Sequence, residues 1–140
     1  MKNTLLAILI ISMFSGCYRD RPLPDVRAML TKHKWYMASK SINDVNLDPV
    51  CVNSEELTLN LDCTGTFNFA SYCDSSTAST DVDWYLSSDS HMIHVRRLGH
   101  PEQTVALLRI VNIYDDQLIL QGNWGQQGFF AEYKNVPTTY

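Results

Sequence analysis

The chain is poor in the features that announce an activity. It has no basic block: 11 Lys and Arg stand against 15 Asp and Glu, a formal charge of −4, and the only adjacent basic pair is Arg96-Arg97. That argues against a nucleic-acid partner, whose phosphates call for clustered cations. Gly-x-Ser-x-Gly, P-loop and Cys-x-x-Cys motifs are absent, and no internal repeat is visible. No apolar run is long enough to cross a bilayer. The longest, Leu5 to Phe14, is ten residues broken by Ser12, about 15 Å of helix against a hydrocarbon core of about 30 Å.

That run is informative in another way. Lys2, a short apolar centre, then the small pair Ser15-Gly16 form the layout of a secretory signal. Cys17 follows at once. "FSGC" resembles the cleavage box of bacterial lipoprotein signals, with Phe14 where leucine is more usual. The resemblance implies that residues 1–16 are removed, that the Cys17 thiol takes a diacylglycerol and its new amine an acyl chain such as palmitate, and that the product stays on a membrane. At about 0.8 kcal/mol per buried CH₂, several acyl chains make that attachment lasting. The place implied is the bacterial cell envelope, lipid-anchored, at the outer membrane.

The mature chain then has 124 residues and a formal charge of −5, since Lys2 leaves with the signal; it is one domain in size. Residues 17–24 carry Pro22 and Pro24 and read as a lipidated tether. Its seven residues after Cys17 span about 22 Å at about 3.1 Å each, so the domain of residues 25–140 sits near its membrane.

Asp25 is a candidate N-cap for a short helix with Val26, Met29 and Leu30 on one stripe. From there the period is two. Eight strands are predicted: 34–42, 56–62, 66–71, 82–87, 92–97, 104–114, 117–122 and 128–134. "ELTLNLD" sets Leu57, Leu59 and Leu61 on one face, and Gly65 offers the positive φ of a hairpin turn before Phe67 and Phe69. Strand, turn and strand at close intervals predict an antiparallel meander, and closure into a barrel removes its two edges.

Trp35 after a short helix, the run "CVNSEELTLNLDCTGTFNF", Trp84 in "DVDWYLSS", "LLRIVNIYDDQLIL" and "FFAEYKNV" together resemble the lipocalin-like domains of small bacterial lipoproteins. His33 stands where lipocalins proper carry glycine. The resemblance implies an all-β fold, an eight-stranded calycin-type barrel behind a short N-terminal helix. It supplies no catalytic residues and no cofactor.

With Cys17 acylated, Cys51, Cys63 and Cys73 remain. In the hairpin reading Cys63 lies at the turn, 12 and 10 residues from the other two, some 30 Å away along the arms, while a disulfide needs Cα atoms within about 7 Å. Cys51 and Cys73 meet at the open end. A bridge between them is expected, with Cys63 free, closing a 23-residue loop for about 3 kcal/mol.

For chemistry the residues offer little. His91 and His94 are three apart, so on a strand they face opposite sides and cannot share a metal. Asp81 and Asp83 share a face but read as solvated strand residues, and Cys63 has only Asp62 and Thr64 beside it, neither a histidine nor a cation. No metal site, catalytic residue or enzymatic activity is expected. The aromatics carry the functional reading. Trp35, Phe67, Phe69 and Trp84 fall on strands and are candidates to line a ligand cavity, or to fill a barrel that eight strands leave just wide enough to pack solid. Their bulk favours a largely filled interior with a shallow mouth. Trp124, in a predicted turn, is a candidate partner contact. The expectation is a non-catalytic binding module for a small apolar ligand. The alternative is an interaction or scaffold subunit of an envelope complex, working through Trp124 and residues 74–80.

Overall fold

A computed structural model describes residues 25–48, 55–70 and 77–137. Helix α1 (Val26–Lys32) is followed by strands β1 (Trp35–Ile42), β2 (Val45–Asn46), β3 (Glu56–Leu59), β4 (Thr64–Ala70), β5 (Thr77–Leu86), β6 (Met92–Arg97), β7 (His100–Ile113), β8 (Gln117–Trp124) and β9 (Gln127–Lys134). All pairings are antiparallel. Neighbours run in chain order, and β1 pairs with both β3 and β9, so eight strands close into a barrel. β2 is a two-residue flap on the far end of β1, pairing Ile42 with Val45.

The sequence explains the elements. Asp25 caps α1, its carboxylate accepting from the Ala28 N–H at 3.2 Å, and Leu30 is driven wholly into the core. Alternation then places Trp35, Leu57, Phe67, Val82, Trp84, Ile93, Leu108 and Leu118 inside. α1 packs on β3 and β7 and covers one end of the barrel.

Several boundaries differ from those predicted. β3 stops at Leu59, so Leu61 does not join Leu57 and Leu59 but is 68% exposed. The cause is local: Asn60 N–H donates to Thr64 O at 2.8 Å, and the Asp62 carboxylate takes the Thr64 amide and hydroxyl. Those bonds, the hydroxyl's first, hold the Asp62 carboxyl below its ordinary range. The residue with positive φ in this turn is Cys63, at 69°, not Gly65. Gly65 is needed for a different reason: a Cβ there would lie 2.7 Å from Thr58 O on the adjacent strand.

β5 begins at Thr77, five residues earlier than predicted, so residues 77–80 of the supposed contact loop are strand. β8 runs through Trp124, which pairs with Ala106 and Gln127. Trp124 therefore ends a strand and does not occupy a turn. The turn is Gly125-Gln126, with Gly125 at φ 59°.

Candidate functional site

The barrel has a closed end and an open one. At the closed end the Trp35 indole N–H donates to Leu30 O at 2.9 Å, tying β1 to α1. Trp84 donates to Thr64 O at 2.9 Å and Asn60 O at 3.2 Å, tying β5 to the β3–β4 turn. Both rings and Phe67 are buried. The structure thus brings Trp35, Trp84 and Phe67 together inside, with each indole N–H satisfied by main chain. The Phe69 and Trp124 side chains lie outside what the structure describes, as do Cys17, Cys51 and Cys73 and the bridge and anchor expected of them.

Toward the other end the filling stops. Along the inward face of β5, Trp84 and Val82 are buried, Thr80 is half-buried and Ala78 is exposed. A hollow of about 640 Å³ opens there, where Thr80 and Asp81 of β5 face Arg97, Leu98, Thr104 and Val105. On the barrel wall, inward positions are small at Ala106 and Ala131.

Inside lies one charged residue that the sequence reading missed. Glu55, 1% exposed, is the buried charged residue among those described. Lys40 meets both its oxygens, at 2.9 and 2.8 Å, with 11% of its own side chain exposed. Parity counted from Trp35 sends Lys40 outward. The register of β1 against β9 slips between Met37 and Ser39, so Ala38 is a bulge, and Lys40 then lies opposite inward Ala131. The pair sits near Tyr133, whose phenol is pushed well above its ordinary range by burial and then by the charge of Glu55.

A second polar cluster surrounds Cys63, a free thiol. Reading its chain neighbours alone suggested no cation beside it. The fold supplies one: Arg27 of α1 donates to Cys63 Sγ at 2.8 Å and to Leu61 O at 2.9 Å, and its guanidinium lies 5.6 Å over the Trp84 ring. The histidines are scattered. His33 meets Trp35 edge-on, His94 stacks on Tyr85 at 4.5 Å, His91 bonds Asp89 O, and His100 pairs with Glu102. Asp81 accepts from Thr66, and Asp83 lies opposite Arg96. Among the described residues no three His, Cys, Asp or Glu side chains are grouped to hold a metal ion. No described helix is long and apolar enough to cross a membrane.

The geometry defines a closed eight-stranded antiparallel barrel with one end plugged. No protein-family model matches the chain, and no curated protein matches it. Among solved structures it is similar to the complex of bovine odorant binding protein with a selenium-containing odorant, at 14% identity and TM-score 0.49 over 79% of this chain and 74% of that one. The odorant-binding protein from bovine nasal mucosa gives 14% and 0.49 over 81% and 75%. A deswapped triple mutant of the bovine protein gives 14% and 0.48 over 80% and 77%.

Proposed function

We propose that this protein is a non-catalytic binding module of the bacterial envelope, anchored through acylated Cys17, that takes a small, largely apolar molecule at the open end of its barrel. The observation that carries the reading is the gradient along β5. The same inward face is sealed at Trp84 and Val82 and exposed at Ala78, beside the hollow of about 640 Å³. That volume falls within the range of small-molecule sites, roughly 300–1,000 Å³. Leu98 and Val105 offer apolar wall, while Arg97 and Thr104 offer polar groups to fix an orientation. The chain enters at α1, the closed end, so an anchor at Cys17 leaves the mouth directed away from the attachment point.

Titration with the apolar fluorophore N-phenylnaphthylamine, with native mass spectrometry of the purified protein, tests this. Binding to the wild type and its loss on Thr80→Trp, which fills the mouth without touching the plugged end, is the expected result. Binding that survives Thr80→Trp unchanged places the ligand elsewhere, and no probe binding with no retained molecule removes the reading. Acyl labelling of wild type against Cys17→Ser tests the anchor.

A further inference from the structure

We infer that the outer face of β7 is a membrane-docking ridge that lays the barrel wall on an anionic bilayer. The inference rests on the anchored reading for how the domain comes to the membrane, though not for how it binds there. Leu107, Val111 and Tyr114 follow one another down this face, 41, 48 and 57% exposed, with exposed Arg109 between the first two. Val111 keeps the outward parity of Leu107 and Arg109, and the β7–β8 register slip between Ile110 and Asn112 then brings Tyr114 to the same outer face. An exposed aliphatic at a bulge is a cost to a free domain and an asset at a headgroup boundary.

The flanks of the ridge carry the matching charge. On β6 the outward residues are Met92, His94 and Arg96, and on β8 Ile119, Gln121 and Asn123. With Arg109 this wall holds two arginines and a histidine and no acidic outward side chain among these positions, on a chain whose net charge is −4. Tyr85 extends it, stacked on His94 and lying 5.0 Å under Arg96. Exposed Arg109, half-buried Arg96, Tyr85 and the exposed aliphatic groups together suit an interface of anionic headgroups over acyl chains.

The foot of the ridge lies where the tether begins. α1 packs on β7, and Lys32 holds Asp115, beside Tyr114, at 3.0 Å. Asp116 and, opposite Arg96, Asp83 are the acidic neighbours that must stay clear of the headgroups. A tether of about 22 Å keeps the ridge within reach of the bilayer it hangs from.

The test uses the full mature chain with Cys17→Ser, so that no acyl group contributes, in co-sedimentation with vesicles of phosphatidylcholine alone and with about one-third phosphatidylglycerol. The expected result is at least tenfold stronger partition to the anionic vesicles, weakening as salt is raised. Arg109→Glu and Leu107→Asp should each remove it, whereas Leu61→Asp, at the closed end off the ridge, should leave it intact. Equal partition to both vesicles, no partition, or binding undiminished by Arg109→Glu overturns the ridge. Acyl labelling of the wild type is read separately: vesicle binding without acylation keeps the ridge and sinks the anchor, and acylation without vesicle binding does the reverse.

Discussion

Replacing Lys40 by methionine should cost this barrel far more than the loss of an ordinary surface ion pair. The reason is location. The Lys40 ammonium touches both oxygens of Glu55, a carboxylate 1% exposed, and is itself only 11% exposed. Exposed pairs are worth about 0–1 kcal/mol, whereas stripping one partner from a buried pair costs about 3–5 kcal/mol, because a charge is left in the interior. Against a total of about 5–15 kcal/mol this is a fifth or more, and it lowers the melting temperature by roughly 10–20 °C. Methionine keeps the length and most of the volume of lysine, so the cavity contribution is small. Lys40→Met with Glu55→Leu should recover most of the loss, and the double-mutant cycle should return a coupling of about 2 kcal/mol or more. Urea denaturation of the four proteins gives the costs and the coupling, and thermal unfolding gives the shift in melting temperature. A cost below about 1 kcal/mol for Lys40→Met, with no coupling, would mean that the pair is solvated and that the bulge at Ala38 does not bury it.

Three further outcomes follow from the packing and the wall. Gly122→Ala drives a Cβ into Leu107 O and to 3.1 Å from Leu108 Cα, both main chain, so β7 and β8 must part; a loss of about 1–3 kcal/mol or more in urea is expected, and tolerance within about 0.5 kcal/mol would refute the close approach. Trp84→Phe keeps the ring but leaves Thr64 O and Asn60 O without the indole N–H, which should cost about 1–2 kcal/mol and leave binding at the open end unchanged. On β9, the Gln117 amide and then Lys134 hold the Glu132 carboxyl below its ordinary range. A depressed carboxyl stabilises the fold above its unfolded value and loses that stabilisation as pH falls through the folded one. Stability should therefore decline in the acid range below about pH 4.5, and Glu132→Gln should flatten that part of the pH profile of the urea midpoint; an unchanged slope counts against the bond.

What was legible in the sequence is what depends on one strand at a time. The alternation of Leu57 and Leu59, the cap at Asp25 and the turn-rich spacing of the later strands lead to a short helix and an eight-stranded antiparallel barrel, as found. Trp35, Phe67 and Trp84 fall inside because parity holds unbroken from each strand's start. What was not legible depends on two strands at once. The extent of β8 to Trp124 is set by its pairing with Ala106 and Gln127, and the cation beside Cys63 comes from a helix 36 positions earlier. Asp62 ended β3 early by bonding Thr64, a local signal present in "DCT" but outweighed by the alternation of leucines.

The bulges at Ala38 and Val111 show why such errors gather at particular residues. A bulge adds one residue, and beyond it every side chain on that strand changes face relative to a count from the start. At Ala38 the slip turns Lys40 inward, where Glu55 makes it tolerable; at Val111 it turns Ile113 toward the core and Tyr114 outward, beside Leu107 and Val111 on the outer face. The slip at Ala38 is costly for an isolated barrel, because it buries a lysine that Glu55 must then match. The slip at Val111 is not: it keeps Ile113 with the core, and the tyrosine that it turns outward extends the outer face of Leu107, Arg109 and Val111.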